Sequence, residues 1–403
     1  MTRPVADDKG SFNRRALPHR FALGKNPGLP LLFLLLIFLP LADMVFKICE
    51  PLPIKEKRRL ADTPRFEWRK PWSFLEESES YFNDHFGFRT HLLYQHNRLT
   101  VGLFGVSPTD KVIIGRQGWL FMARESETRN ELDYFRQLTL LTPQQVRHWR
   151  NMLRQRRRWL EERGIAYMFI VVPNKSTVYS EFMPANIRRR HGQSRLDQLL
   201  AALAREDDFP VIDLRETLAA AKRSYRIYNK TDSHWNELGA FFAFEKIMAR
   251  LARIYPELDR PALEDFIIEY SDRNGGDLAL MLSLQKVQFR EQTIRLRPKI
   301  PVATRLLRPK RSLGPYIRET SSECPSATLP TLLLVHDSFV HQLKPLLNPR
   351  FRRIIYIWDW GLHFFKDAIE EEKPEIVIEE ITERVLADLV LENPPGLGPA
   401  TDR

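Results

Sequence analysis

Four stretches of this chain, residues 166–172, 331–335, 353–357 and 375–379, have apolar centres with almost no polar alternation at strand length. A strand wetted on one face alternates apolar with polar residues, so a run like Tyr167–Met168–Phe169–Ile170–Val171 needs cover on both faces. Helical patterns lie between these runs. Thr142, Pro143 and Gln145 make an N-cap, first-turn proline and capping-box glutamine, followed by Val146, Trp149, Leu153 and Leu160 at helical spacing and Gly164 as a stop. A second helix near 196–203 leads to a short strand at 210–213. Buried strands alternating with helices predict an α/β fold, a three-layer domain with a mainly parallel sheet.

One further apolar segment belongs to a different solvent. Residues 27–42, centred on Leu31–Leu32–Phe33–Leu34–Leu35–Leu36–Ile37–Phe38–Leu39, resume past Asp43 with Met44, Val45 and Phe46, which is the length of one membrane span. No small-x-small cleavage site follows it, and Lys47, Ile48 and Glu50 do, so an uncleaved anchor over 27–48 is expected rather than a signal peptide. Lys9, Arg14, Arg15, Arg20 and Lys25 on one side balance Lys47, Lys55, Lys57, Arg58 and Arg59 on the other, leaving orientation open. Residues 49–110, broken by Pro51, Pro53, Pro64 and Pro71, read as a tether that is partly ordered by Tyr81, Phe82, Phe86 and Phe88. The globular domain then spans 111–392, with an insertion at 271–330 that carries Arg295, Arg297, Lys299, Arg305, Arg308, Lys310 and Arg311 and room for a β-hairpin. A Pro/Gly-rich tail at 393–403 is expected to be disordered. The excess of 62 Lys+Arg over 51 Asp+Glu gives +11, which suits nucleic acid, an anionic membrane or an anionic polymer equally. Cys49 and Cys324 allow one bridge at most and no thiolate zinc site.

In an open α/β sheet, reactive groups gather beyond the carboxyl ends of the strands. His336–Asp337–Ser338–Phe339 follows one run, and a serine on such a turn exposes its hydroxyl while its own N–H is free for an oxyanion. An ordinary helix cap reads the same way. Thr231–Asp232–Ser233–His234–Trp235–Asn236 precedes an amphipathic helix with Leu238, Phe241, Ile247, Met248 and Leu251. Asp232 is placed to orient the imidazole of His234 as a general base. The same Asp-x-His fits a metal-ligand pair or a capping loop, although no third ligand has an identifiable spacing.

Taken together with Glu56–Lys57–Arg58–Arg59–Leu60–Ala61, Pro64, the 81–89 string Tyr-Phe-Asn-Asp-His-Phe-Gly-Phe-Arg, the 115–121 string Gly-Arg-Gln-Gly-Trp-Leu-Phe, Val172–Pro173–Asn174–Lys175, Gly276–Asp277–Leu278 and Glu383–Arg384, these motifs resemble the alginate O-acetyltransferase family of the AlgJ and AlgX type, which is SGNH-hydrolase-like with permuted motif order. The resemblance implies Ser338 as nucleophile, His234 as base and Asp232 as its orienting carboxylate. Asn174 becomes a candidate oxyanion donor, against the plain reading of a buried turn-forming Asn, and Lys175 and Arg384 are read as structural or as candidates for positioning substrate rather than as chemical groups. His336 stands where the family's motif has glycine. The resemblance also implies a cytoplasmic N-terminus over 1–26, a single inner-membrane span, a periplasmic catalytic domain and no cofactor or metal. Its partners would be an exopolysaccharide substrate such as alginate and a multispanning membrane acyltransferase as acetyl donor, with no role for nucleic acid. An acetyl esterase using the same triad, or a non-catalytic polysaccharide or secretion scaffold, are the alternatives.

Overall fold

Each of the unbroken apolar runs forms a strand that divides its side chains between two cores. In the computed structural model, Met168, Ile170 and Val172 point into one apolar cluster, and Tyr167, Phe169 and Val171 into another on the opposite face. The structure describes residues 28–387 apart from 53–58, 127–128, 191, 205–208, 257–259, 287, 314–315 and 328. The expected N-terminal 1–26 and tail 393–403 lie outside the described residues.

The strands, in chain order, are β1 (Val112–Ile114), β2 (Leu120–Met122), β3 (Ala166–Val172), β4 (Val211–Asp213), β5 (Phe266–Asn274), β6 (Arg290–Pro298), β7 (Arg305–Leu307), β8 (Arg318–Glu323), β9 (Leu329–His336), β10 (Phe351–Trp358) and β11 (Ile376–Thr382). Seven of them form one sheet in the order β4-β3-β11-β9-β10-β8-β7. The pairs from β4 to β10 are parallel, while β8 adds to β10, and β7 to β8, antiparallel. Trp149, Met152, Leu153 and Leu160 of the helix Pro143–Glu161 cover one face. Leu238, Phe241, Phe244, Ile247 and Leu251 of the helix Glu237–Leu251 cover the other. The result is the expected three-layer α/β domain.

The Thr142 capping box forms as read, with Gln145 N–H on Thr142 Oγ1 and Thr142 N–H on Gln145 Oε1. The chain reverses at Gly164, whose φ of +69° favours a residue without Cβ.

Residues 271–330, expected as an insertion with room for a β-hairpin, hold most of one hairpin and two strands of the main sheet. The β5/β6 hairpin begins at Phe266, ahead of that boundary, and β7 and β8 lengthen the main sheet. No apolar run marks β8 because its buried positions include Glu319, Ser321 and Ser322. Arg311, one of the basic residues of that stretch, is bound by Glu319, Glu371 and Glu372 at 2.7–2.8 Å.

Among the described residues the chain forms two compact units, one reaching to Leu92 and the other beginning at Leu93. The first contains the exposed apolar helix Gly28–Phe46, long and apolar enough to cross a membrane. Near its end the buried Asp43 accepts N–H bonds from Cys49 and Phe88, both at 2.8 Å, so this carboxylate ties the chain that follows the helix to a later turn. Pro71 starts the helix Pro71–His85 rather than breaking one, because a proline in the first turn has no N–H to lose. Cys49 and Cys324 are both free thiols.

Candidate active site

Strand β9 ends at His336, and Asp337 then caps the short 3-10 turn Ser338–Gln342 by accepting the Phe339 N–H at 2.8 Å. The other carboxylate oxygen of Asp337 accepts the N–H of Thr382 at 3.0 Å and the Thr382 hydroxyl. Asp337 N–H in turn donates to Glu380 at 3.1 Å, so the turn is laced to the end of β11. This leaves Ser338 as the first residue of the turn, a position whose N–H has no acceptor within the turn itself. Phe339 is fully buried beneath it.

The His336 that replaces glycine needs no glycine conformation, since its φ is not positive. Burial, with Lys344 nearby, lowers its pKa to about 3 and keeps the imidazole neutral.

The second motif is a loop closed at its base. Tyr228 and Trp235 face each other in an isolated bridge, and Asn229 N–H reaches the His234 carbonyl at 3.2 Å. Asn236 caps the following helix through the N–H groups of Leu238 and Gly239. Trp235 Nε1 donates to the Phe339 carbonyl at 2.9 Å, fastening this loop to the serine turn.

Across that joint the three polar side chains meet. His234 Nε2 lies 2.8 Å from Ser338 Oγ, although the residues are 104 positions apart, and His234 Nδ1 lies 2.7 Å from Asp232 Oδ1. With its Nδ1–H donated to the carboxylate, the ring presents an acceptor lone pair to the serine hydroxyl. Burial works against the charged imidazole, but the hydrogen bond and charge of Asp232, with Asp277 adding to them, leave it more basic than an ordinary histidine. Burial likewise opposes ionised Asp232. Bonds from the His234 ring, the His234 N–H and the Asp277 N–H outweigh it and hold the carboxyl well below the usual range.

One residue to which the sequence assigned no role completes this loop. Asp277 donates its N–H to Asp232 Oδ2 at 3.2 Å and accepts the Ser233 N–H at 2.7 Å and the Ser233 hydroxyl at 2.6 Å. Asp232, His234 and Asp277 offer atoms within 4.8 Å of one another, as a metal trio would. Each of these carboxylate oxygens, however, already accepts an N–H or O–H, so the cluster is accounted for by its own hydrogen bonds.

The remaining candidates sit at the neighbouring strand ends. Asn174, directly after β3, is fully buried. Its N–H donates to Glu383 at 2.9 Å, its Oδ1 accepts from Arg384 at 3.3 Å, and its Nδ2 has no partner among the described residues. Because Arg384 carries only donors, it identifies which side-chain atom of Asn174 is the oxygen and leaves the amide hydrogens turned elsewhere. Arg384 is itself buried, 5.7 Å from the Phe339 ring centroid and ion-paired to Glu125 at 3.6 Å and Glu131 at 3.9 Å. Burial pushes Glu383 up to about 7, against the bonds it accepts from Thr177, Asn174 and Tyr134. Lys175, expected to be structural or to position substrate, is 2% exposed and donates to main-chain carbonyls of the histidine loop, which is the structural alternative.

Residues 112–383, more than half of the chain, match the family described as "SGNH hydrolase-like domain, acetyltransferase AlgX". A probable alginate O-acetylase AlgJ of Pseudomonas aeruginosa is 27% identical over 205 residues, 47% of this chain and 48% of that protein. The chain therefore spans about half the length of this curated relative. A probable alginate O-acetylase AlgJ of Pseudomonas fluorescens is 26% identical over 289 residues, 68% of each protein. Among solved structures, the O-acetyltransferase domain of Pseudomonas putida AlgJ superposes with a TM-score of 0.45 at 19% identity, covering 70% of this chain and 94% of that one.

Proposed function

The chain belongs to the SGNH-hydrolase-like acetyltransferase family of the AlgX type, and from that premise we propose that it moves acetyl groups, through an ester on Ser338, to hydroxyls of a secreted polysaccharide. The observation that carries this reading is the unbroken relay from Asp232 through His234 to Ser338.

In the first half-reaction, His234 Nε2 takes the Ser338 Oγ proton as the oxygen attacks the acetyl carbonyl of the donor. The tetrahedral oxyanion collapses, and the donor's leaving oxygen departs with that proton. In the second, a sugar hydroxyl attacks acetyl-Ser338 and gives its proton to His234, which returns it to Ser338 Oγ as the new ester forms. Asp232 keeps the Nδ1–H tautomer and stabilises the imidazolium in both halves. For the oxyanion, the Ser338 N–H and the unpartnered Asn174 Nδ2 are the donors we assign, the latter oriented by Arg384. Arg384 then acts through Asn174 rather than on the sugar.

The relatives' name supports alginate as the polymer, the span-length helix Gly28–Phe46 supports a single-pass anchor, and the family resemblance is what assigns that anchor to the bacterial inner membrane with the catalytic domain in the periplasm. Acetyl-CoA is not expected there, so the acetyl group would come from a multispanning membrane acyltransferase. The test is a Ser338→Ala allele in the cell. Polymer yield should hold while acetyl content falls, because the chemistry decorates the chain and does not build it. A rise in acetylation would identify an esterase instead, and unchanged acetylation would remove the serine from the chemistry.

A further inference from the structure

The geometry points to Lys175 as a positioning residue whose buried ammonium holds the Asp232–His234 loop in its reactive shape by binding three main-chain carbonyls of that loop. This inference rests on the acyl-transfer reading above. Lys175 opens the helical turn Lys175–Val178 directly after β3, and its Nζ donates to the carbonyls of Asn229 at 3.1 Å, Lys230 at 3.1 Å and Asp232 at 2.7 Å. An ammonium has three N–H groups, and all three are spent here, with none left for a sugar.

The loop is also held by Glu291, which accepts the Thr231 N–H and hydroxyl at 2.7 Å, and by Asp277 on Ser233, but neither of these touches the carbonyls of Asn229 and Asp232. Lys230 O also accepts the Leu120 N–H at 2.8 Å, but the loop lies outside any extended ladder, so buried carbonyls of this kind need a donor brought to them. The ammonium occupies their common focus as a bound cation would. Asp232 is thereby gripped twice: its main-chain oxygen by Lys175, and its carboxylate by His234 and by the Asp277 N–H. Releasing the first grip lets the residue turn about its own backbone and carries the carboxylate off the imidazole.

The surroundings of Nζ suit a cation. The rings of Phe121 and Trp119 lie 5.2 and 5.6 Å away. The carboxylates of Asp277, Asp232, Glu291 and Glu131 favour the charge, against a burial that prevails and lowers the pKa to about 8. The direction of the pH effect follows. Below about 8 all three carbonyls are held, and as pH rises through it the neutral amine keeps two N–H groups and turns a lone pair toward the third. Arginine, which does not titrate in this range, would keep its donors throughout.

The full chain in detergent is assayed for turnover of p-nitrophenyl acetate at pH values on both sides of about 8. Lys175→Met is expected to lower kcat by about 10²-fold with little change in KM, the scale of a misplaced reacting group. Lys175→Ala should recover turnover saturably with added propylammonium, and Lys175→Arg, where active, should lose the alkaline decline of the parent. A Lys175→Met protein with the parent's kcat and pH profile overturns the inference, as does an active Lys175→Arg with an unaltered alkaline limb. If Lys175→Met does not fold, the Lys175→Ala protein decides through the low-field proton of the His234–Asp232 bond. Its loss and restoration by propylammonium support the clamp, and its persistence without the amine overturns it. This signal needs no turnover, so a Ser338→Ala protein that still hydrolyses the ester would sink the acyl-transfer reading separately.

Discussion

His234 is the residue on which the site's pH behaviour turns. Asp232 and Asp277 make the imidazole more basic than usual despite its burial, so its proton leaves only above the ordinary histidine value of 6.5. Turnover of an activated acetyl ester should therefore rise with pH through a midpoint above 6.5, and Asp232→Asn should move that midpoint down by removing the charge. An acid limb at or below 6.5 in the parent would mean that His234 is not the base. Ser338→Ala and His234→Ala should each cost at least about 10³-fold, and the double variant little more, because a relay is lost once. A multiplicative double variant would show two independent groups. The serine and Asp-x-His motifs were visible in the sequence, but each had a second reading as a helix cap, and Asp337 and Asn236 do cap the elements beside them. The 2.8 Å contact of His234 with Ser338 and the 2.9 Å bond from Trp235 to Phe339 are what join the motifs, and no spacing rule reaches across 104 residues.

Among the elements, the parallel strands were legible because burial on both faces makes most of their positions apolar, although β11 also buries Glu379, Glu380 and Thr382. Strand β3 begins and ends where its apolar run does, while β9, β10 and β11 outrun theirs by a few residues. Strand β8 was not legible, since Glu319, Ser321 and Ser322 hold its buried positions. The turn that opens the helix Asp277–Met281 shows the same limit. A Cβ at Gly276 would stand 2.4 Å from Asp232 Cβ and 2.5 Å from its Oδ2, so the glycine is required by the close approach of a carboxylate from a remote loop. Gly276→Ala is expected to lower the thermal midpoint by several degrees, since overpacking of this kind costs about 1–3 kcal/mol, and to cut ester turnover by about 10-fold to 10²-fold through displacement of Asp232. A folded Gly276→Ala protein with full turnover would show that Asp232 tolerates the shift.

For the whole molecule, the apolar helix Gly28–Phe46 carries its consequence outside the catalytic unit. Residues such as Leu31, Phe33 and Phe38 are more than half exposed, which fits a helix seated in a membrane. The full chain is expected to stay with membranes through an alkaline carbonate wash. Its release into the supernatant would contradict a spanning anchor. The buried Asp43 belongs to the same expectation, because its two N–H bonds make a carboxylate at the end of a span tolerable by binding the chain that follows it.

The sequence by itself determined the α/β class, the alternation of strands and helices and the span-length helix, because hydrophobic periodicity is a local property, and it offered Ser338, His234 and Asp232 as candidates whose motifs each kept a second reading. Only the tertiary structure decided which of the polar residues meet, and it reassigned several. Lys175 turned inward to three carbonyls, Arg384 was spent on Asn174 and two glutamates, and Asp277, which carried no assigned role, joined the histidine loop. Their partners come from strand ends and loops distant in sequence. For a buried charge, the position of the partner decides its role, and that position is set by the packing of the sheet.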